Sequence, residues 1–156
     1  MASDGGAVKY VEDVEVIFRS VPDNPIMFQT QSDGRPHFST SAFNDRERQP
    51  SVDRACLTNG QPVSSRLTPE SGVASLIVAR ARAIQTVRTL DSKQCVVFSH
   101  QVDVVHVPLV ENYAHAQVQA SPTPSTDTVF KRLKEALCRL ADVGGWAHPP
   151  ASRRIT

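Results

Sequence analysis

The segment between residues 83 and 120 constrains the fold of this chain more strongly than any other. It holds four short runs rich in β-branched residues, which are AIQTVRTL (83–90), QCVVFSH (94–100), VDVVHVPL (102–109) and HAQVQA (115–120). Runs of this length and composition, separated by turn residues, are typical of antiparallel strands. LDSKQ (90–94) predicts a hairpin connection between the first two runs. We therefore expect a sheet built largely from neighbouring strands.

The C-terminal part of the chain predicts an amphipathic helix. In TVFKRLKEALCRLADVGG (128–145) the apolar residues fall at helical spacing, as Phe130, Leu133, Leu137, Leu140 and Ala141. Thr126 or Asp127 can cap the first turn, and the pair Gly144-Gly145 can end the helix.

Two further elements complete the predicted fold. VEVIF (14–18) predicts a half-buried strand that carries Val14, Val16 and Phe18 on one face. Farther along, Pro69 suits the first turn of a helix, and the apolar spacing after it predicts a helix over about 69–81. The fold class is α+β, with a mostly antiparallel sheet, one mid-chain helix and one C-terminal amphipathic helix.

The length of 156 residues predicts one domain with a core of its own. Residues 1–7 are small and polar and are predicted to be a disordered N-terminus. Residues 8–146 are predicted to form the single α+β domain. Residues 147–156 are predicted to be a flexible basic tail.

Composition and motifs narrow the class of function. The formal net charge is only +1, which disfavours nucleic acid as a partner. No run approaches the about 18 apolar residues of a membrane span, so no membrane partner is expected. Three widely spaced cysteines and the lack of a signal-peptide pattern indicate a cytoplasmic protein. The chain has no Walker loop and no G-x-G-x-x-G, so no cofactor is expected.

Histidines offer no metal site that the sequence supports. His100 and His106 would share one face of a strand, but six residues of strand span about 20 Å, too far for two ligands of one ion. The chain contains neither H-E-x-x-H nor C-x-x-C, so no metal is expected.

The least ordinary stretch is HFSTSAFNDRERQPSVDRACL (37–57), which mixes hydroxyls, acids and a histidine with apolar residues. In an extended segment, Ser51 and Asp53 share one face, and Val52 and Arg54 share the other. Arg54 could then clamp an anion while Asp53 acts as a base or orients a ligand. Alternatively, Ser51 caps a short helical turn and Asp53 binds backbone amides, which makes the stretch a structural latch. Because such local bonding is common, the latch is favoured.

His115, in ENYAHAQV (111–118), stands where a polar loop enters a predicted strand. Its alanine neighbours allow close packing, so a partly buried imidazole bonded to a backbone carbonyl is expected. Junctions of this kind also collect binding residues. The predicted binding surface therefore consists of His37, Ser41, Ser51, Asp53, Arg54 and His115.

Three stretches, STSAFNDRERQPSVDRA (39–55), GVASLIVARARAI (72–84) and PLVENYAHAQV (108–118), followed by a C-terminal helix, resemble a family of small uncharacterised bacterial cytosolic proteins. The family pattern is Ser-Ala-Phe, then Ser-Val-Asp-Arg, then a Gly-led helix and His-Ala. It is matched here by Ser41, Ala42, Phe43, Ser51, Val52, Asp53, Arg54, His115 and Ala116. The resemblance covers about residues 14–146 and implies a fold-sized unit but no reaction. DSKQCVVFSHQVDVVH (91–106) is an expanded β segment that departs from the pattern.

Two hypotheses for function follow. The first is a non-enzymatic module that binds another protein or a small anionic ligand through the 37–54 loop and the strand entrance at His115. Because the sequence has no G-x-S-x-G or other complete catalytic motif, this hypothesis is favoured. The second is an enzyme that acts on a nucleotide-like or phosphorylated substrate, for example by ADP-ribosyl-transfer-type chemistry. There Asp53 or Glu47 would be the base, Arg54 the anion clamp and His115 an acid or base. An exposed edge strand such as VDVVHV is compatible with a homodimer.

Overall fold

A six-stranded sheet forms the centre of the computed structural model, which describes residues 9–154. Its strands, in the order in which they lie across the sheet, are β10 (Trp146–His148), β5 (Gly72–Ile77), β1 (Val16–Val21), β4 (Ser51–Arg54), β9 (His115–Ser121) and β8 (Gln101–His106). All neighbouring pairs are antiparallel. Two hairpins lie outside the sheet: β2 (Phe28–Thr30) with β3 (Pro36–Phe38), and β6 (Arg88–Leu90) with β7 (Val96–Ser99). The predicted disordered N-terminus, residues 1–7, lies outside the described residues.

Two helices accompany the sheet, α1 (Val78–Arg82) and α2 (Asp127–Gly144). Short 3-10 turns occur at Thr40–Phe43, Ala55–Leu57, Pro62–Ser65 and Ala151–Arg153. The predicted α+β class, mostly antiparallel with one mid-chain and one C-terminal helix, is confirmed. No helix within residues 9–154 is long and apolar enough to cross a membrane.

One face of the sheet carries the hydrophobic core. Alternate strand residues on this face are fully buried, among them Ile17, Leu76, Val52, Ala116 and Val118. They belong to one cluster with the apolar stripe of α2, which includes Phe130, Leu133 and Leu137. We call this the core face and the opposite side the outer face. Because strand residues alternate, the residues next to these core positions point to the outer face.

The C-terminal helix forms as its sequence predicts. Thr126 caps it by accepting a hydrogen bond from the Val129 amide to its hydroxyl at 3.3 Å. At the other end Gly145 has a φ of 69°, a conformation that favours glycine. Gly144 has a different role, because a Cβ there would lie 2.1 Å from the Ser75 carbonyl oxygen. This glycine lets the end of α2 contact β5 directly.

The predicted helix over 69–81 is wrong in its first part. Residues 72–77 form β5, which pairs with β1 along its whole length, from Val21 opposite Gly72 to Val16 opposite Ile77. A short apolar run fits a buried strand as well as a helix, and here strand pairing decides between them. Only the following residues, Val78–Arg82, form the short helix α1.

The faces of the first strand also differ from the prediction. VEVIF predicts Val14, Val16 and Phe18 as one side of a strand, but Val14 is 87% exposed and β1 begins at Val16. The residue on the core face is Ile17, which is fully buried. Phe18 is buried as well, but from the outer face. A strand covered on both sides gives no clean alternation, and for this reason the pattern misleads.

The C-terminal residues make defined contacts, although the sequence predicts a flexible tail over 147–156. His148 pairs with Val73 in β10. Asp23 accepts hydrogen bonds from the amide and hydroxyl of Ser152, at 2.8 and 2.6 Å. The Arg154 guanidinium donates to the Ser71 carbonyl at 3.1 Å. These contacts anchor the tail as far as residue 154.

Candidate functional site

A cavity of about 580 Å³ opens on the outer face of the sheet. Its sheet side is formed by outer-face residues of β1, β4 and β9, which are Phe18, Ser20, Ser51, Asp53 and His115. Its other walls come from three loops, namely residues 41–44, the segment 64–67 and residues 109–112. We call it the outer-face cavity. Four of the six predicted binding residues line it: Ser41, Ser51, Asp53 and His115.

Asp53 and His115 lie directly opposite each other on β4 and β9. The Arg54 amide donates to the Ala114 carbonyl at 2.9 Å, and the Val118 amide donates to the Pro50 carbonyl at 2.9 Å. Hydrogen-bonded and non-hydrogen-bonded pairs alternate along an antiparallel ladder, so Asp53 and His115 form a non-hydrogen-bonded pair. In such pairs the side chains stand closest, with Cα atoms about 4.5 Å apart.

A backbone contact fixes which ring nitrogen of His115 always carries a proton. Its Nδ1 lies 2.7 Å from the Val107 carbonyl oxygen, which can only accept a hydrogen bond, so Nδ1 carries a proton. In the neutral ring Nε2 is then the acceptor, and it has no hydrogen-bond partner within residues 9–154. The expected partly buried imidazole, bonded to a backbone carbonyl, is confirmed, and the residue is 8% exposed.

Asp53 is half-buried and is positioned by the loop opposite. Its Oδ1 accepts a hydrogen bond from Asn112 Nδ2 at 2.8 Å. Asn112 is itself fixed, because its Oδ1 accepts from the Ala114 amide at 3.2 Å. The predicted cap by Ser51 is wrong, since residues 51–54 form a strand, and Asp53 bonds a side chain where backbone amides were predicted. The alternative extended arrangement is the observed one.

The residue that holds the polar stretch in place is Arg19, which the sequence does not single out. Its Nε donates to the Ala42 carbonyl at 2.9 Å, its Nη1 to the Ser51 carbonyl at 2.8 Å and its Nη2 to the Asn44 carbonyl at 2.9 Å. Burial lowers the pKa of this guanidinium, although the nearby Asp45 carboxylate acts in the opposite direction. Arg19 therefore joins two separate parts of the 37–57 stretch to β1. An arginine inside the short run VIFRSV (16–21) is the only signal that the sequence gives for it.

Arg54 does not contribute to the outer-face cavity, which corrects its predicted role as an anion clamp. It lies on the core face, where its side chain is 3% exposed. Nε and Nη2 donate to the two carboxylate oxygens of Glu15 at 2.8 and 2.7 Å, and Nη2 also donates to the Tyr10 carbonyl at 3.0 Å. Burial raises the pKa of Glu15, but hydrogen bonds from Arg54, the Glu12 amide and Cys56 outweigh it and lower this pKa. The hydrogen bond with Glu15 raises the pKa of Arg54.

His37 also lies apart from the cavity, which corrects the predicted binding surface a second time. On β3 its Nδ1 lies 2.9 Å from the Asp142 carboxylate of α2. The other oxygen of this carboxylate accepts from the Phe38 amide at 2.8 Å. His37 thus helps to attach the β2–β3 hairpin to the last turn of α2.

The remaining histidines form no group with the cavity. His100 bonds Thr89 Oγ1 at 2.6 Å and also contacts the Pro122 carbonyl. His106 lies on the core face near Arg54, and neither of its ring nitrogens has a hydrogen-bond partner within residues 9–154. Burial, and then the charge of Arg54, lowers the pKa of His106. Across residues 9–154, no group of three or more His, Cys, Asp or Glu side chains could hold a metal ion.

A second, open groove of about 620 Å³ lies between the 40–48 loop and the start of α2. We call it the basic groove, because four cationic side chains line it, those of Arg46, Arg48, Lys131 and Lys134. Two of these cations are already engaged, since Arg48 pairs with Asp127 at 2.7 Å and Lys134 donates to Asn44 Oδ1 at 2.6 Å. The groove fits the solvated face of α2 that its alternating charges predict.

No protein-family model, curated protein or solved structure matches this chain. The resemblance to the small bacterial family therefore stays a prediction, and any function has to be argued from the cavity itself.

Proposed function

We propose that this chain is a small non-enzymatic domain that binds a small molecule in the outer-face cavity. The observation that carries the proposal is that one cavity of about 580 Å³ brings together Ser41, Ser51, Asp53 and His115. Small-molecule sites usually measure about 300–1,000 Å³ and combine apolar walls with a few convergent polar groups. Phe18, Met27 and Leu109 contribute apolar wall here. Asp53, Asn112 and His115 supply the polar groups.

The position of the cavity supports binding. Its sheet side is rigid, because Asp53 and His115 stand on inner strands of a six-stranded sheet, each paired on both sides. The walls are loops that are fixed by individual hydrogen bonds, such as the one from the Leu67 amide to Ser20 Oγ at 3.0 Å. Rigid elements that carry the polar groups and loops that close over them are the usual architecture of a ligand site. We also propose a cytoplasmic location, because Cys56, Cys95 and Cys138 are free thiols and reducing compartments keep thiols in this state.

Native mass spectrometry of the protein purified from its own host tests this proposal. We expect the wild type to retain a co-purified small molecule, and Ser51→Phe, which fills the cavity, to lose it. The control is Gln101→Phe, which places the same aromatic side chain at an exposed position on β8 away from the cavity, and it should retain the molecule. A bare wild-type chain, or a molecule retained by Ser51→Phe, would overturn the proposal. Capture of another protein in its place would point to the partner-binding form of the sequence hypothesis.

A second candidate function is an enzyme, and the Asp53–His115 pair favours it. An imidazole whose Nε2 bonds no residue of 9–154, placed beside a carboxylate, has the geometry of a general base. However, Arg54, the cation assigned to a nucleotide-like or phosphorylated substrate, is buried on the other face of the sheet with Glu15. The enzyme hypothesis is therefore limited to proton transfer by His115. Arg54, its anion-holding residue for ADP-ribosyl-transfer-type chemistry, is not at the cavity. Conversion of the co-purified molecule by the wild type, lost in His115→Gln, would establish the enzyme.

A further inference from the structure

We propose that the ligand of the outer-face cavity carries an ammonium or other cationic N–H group on an apolar body. This inference rests on the proposed binding function and names the ligand class. It replaces the small anionic ligand that the sequence predicts, because the carboxylates at the cavity make no ion pair within residues 9–154, whereas five of the six guanidinium nitrogens there already bond backbone carbonyls.

The two arginines that line the cavity, Arg19 and Arg66, donate hydrogen bonds to backbone carbonyls. The three nitrogens of the Arg19 guanidinium each bond a backbone carbonyl, as described above. Arg66 donates from Nε to the Val63 carbonyl at 3.1 Å and from Nη1 to the Pro69 carbonyl at 2.9 Å. These arginines hold the walls in place. An anionic ligand would have to compete with these carbonyls for every guanidinium nitrogen of the two arginines except Arg66 Nη2.

The acceptors, by contrast, are largely unused. Asp53 uses Oδ1 for Asn112, whereas its Oδ2 has no hydrogen-bond partner within the described chain. Glu111, at the rim, makes no hydrogen bond or ion pair with any residue of 9–154 and is exposed. In the neutral tautomer with Nδ1 bonded to Val107, His115 adds Nε2 as a third acceptor. Two carboxylates that make no ion pair within residues 9–154 therefore stand at the cavity beside the His115 ring.

Two further observations point to a ligand of this kind. Ser65 lines the cavity and is 6% exposed, yet its hydroxyl has no partner within residues 9–154, and a hydroxyl can accept from a ligand donor. Phe18 stands next to Asp53 in the strand register and lines the same cavity. An aromatic face beside a carboxylate suits a cation that is attached to an apolar group. Desolvation by the surrounding apolar walls strengthens the charge pairing.

A matched pair of probes, benzylamine and benzoate, tests the ligand class. Both have one aromatic ring, and they carry opposite charges at neutral pH. In ¹⁵N-resolved NMR titrations of the full chain, we expect benzylamine to give saturable shifts at the Asn112 side-chain amide and the His115 backbone amide. Benzoate should leave these signals in place. In Asp53→Asn the benzylamine affinity should fall at least about tenfold, because a charged partner is lost while the acceptor to Asn112 is kept. Asp103→Asn, an acid on β8 outside the cavity, should leave the affinity unchanged.

Each other outcome overturns the inference in a distinguishable way. Benzoate shifts at Asn112 and His115 that match or exceed those of benzylamine would show that the cavity binds ligands but prefers anions. Shifts confined to Lys131, Lys134 and their neighbours would assign any binding to the basic groove. If neither probe shifts the cavity signals, the ligand class is wrong, and the mass spectrometry of the wild type and Ser51→Phe decides whether the binding function also fails.

Discussion

Asp53 and Arg54 are consecutive in the sequence and lie on opposite faces of the same strand. Asp53 lines the outer-face cavity and bonds only the Asn112 side chain among the described residues, whereas Arg54 is buried on the core face in a two-point contact with Glu15. Because consecutive strand residues point to opposite faces, a residue that can bind a ligand is thus followed directly by a residue that stabilises the fold. The two functions that the sequence assigns to one polar stretch belong to two different surfaces.

This separation predicts unequal effects of substitution on stability. Arg54→Met leaves the Glu15 carboxylate buried without its partner, so we expect the free energy of unfolding to fall by about 3–5 kcal/mol. Asp53→Ala removes one half-buried hydrogen bond, and we expect a loss of about 1 kcal/mol. Urea unfolding followed by circular dichroism measures both. Asp103→Asn, at an exposed pair with Arg82, serves as the control and should cost less than about 1 kcal/mol.

The contrary result is equally definite. If Asp53→Ala cost more than about 2 kcal/mol, Asp53 would be a structural latch, and its assignment to a ligand site would lose its main support. If Arg54→Met left the free energy of unfolding nearly unchanged, the Glu15–Arg54 pair would not stabilise the fold. The double variant Glu15→Leu/Arg54→Met should recover much of the loss, because replacing both charges removes the unpaired carboxylate.

Arg19 carries a second prediction. Arg19→Lys keeps the charge but cannot reach the Ala42, Asn44 and Ser51 carbonyls together, because one ammonium replaces three differently placed donors. We expect the overall fold to persist and the 41–51 stretch to open more often. In native-state hydrogen exchange, the amides of this stretch should lose about 2 kcal/mol of protection while those of β9 lose little. Equal loss in both would mean that Arg19 supports the whole sheet and not this loop.

These residues show what the sequence could and could not predict. The alternation of Ser51 and Asp53 against Val52 and Arg54 follows from the geometry of a strand and needs no partner. The partner of Arg54 lies 39 residues earlier in the chain, and nothing near Glu15 in the sequence marks it. The side of β4 that faces the core is therefore set by packing, which decides whether an arginine clamps a ligand or stays buried.

Proximity along the chain misleads for the same reason. His37 opens the polar stretch, yet its partner is Asp142 on α2, 105 residues later, and it lies outside the cavity. Asn112 stands three residues before His115 in a loop that the sequence marks as polar, but its bond to Asp53 depends on the pairing of β4 with β9. The long helix α2 was predictable because its cap, its stripe and its glycine end are all local signals. The strand β5 was not, because its apolar run suits either structure until β1 pairs with it.

The half-buried His106 predicts that stability depends on pH on the acid side. Because its pKa is lower in the folded chain than in the unfolded one, the unfolded state takes up a proton first as pH falls. Its stabilising contribution is present above about pH 6.5, the unfolded value, and is lost as pH falls through the folded pKa. We expect the free energy of unfolding of the wild type to decrease between about pH 7.5 and 5.5. His106→Phe, which keeps a ring against Tyr113, should decrease less.

The measurement is urea unfolding of the two proteins at a series of pH values. Burial, and then the charges of Arg154 and Arg66, also lower the pKa of His148. His148→Phe should therefore also reduce the dependence of the free energy of unfolding on pH. The pKa of Glu15 is lowered in the folded state, so below about pH 4.5 the unfolded chain takes up a proton there first. We expect the free energy of unfolding of all these proteins to decrease further in this range. Identical pH slopes in wild type and His106→Phe would contradict the burial of a neutral imidazole at this position.

The edge strand β8 carries the last prediction, which concerns the homodimer that the sequence allows. The side of β8 away from β9 presents the backbone groups of Val102, Val104 and His106, because Val107 and the alternate residues before it pair with β9. At the centre of this edge, the Val104 amide donates to Asp103 Oδ1 at 2.7 Å and the Val104 carbonyl accepts from Arg82 Nη2 at 3.3 Å. Arg82 also bonds Asp103 directly at 2.8 Å. The edge is thus blocked where a second copy would have to pair.

Removal of this block should expose the edge to strand pairing. We expect that two copies of the wild type do not pair along this edge. Arg82→Ala/Asp103→Ala should show concentration-dependent self-association in sedimentation velocity. Arg80→Ala removes an equivalent charge from the same helix without touching β8, and it should sediment as the wild type does. If the double variant and the wild type sedimented alike as monomers, the Arg82–Asp103 contact would not be what protects the edge. If the wild type were already a dimer that the double variant left unchanged, the subunits would associate through another surface.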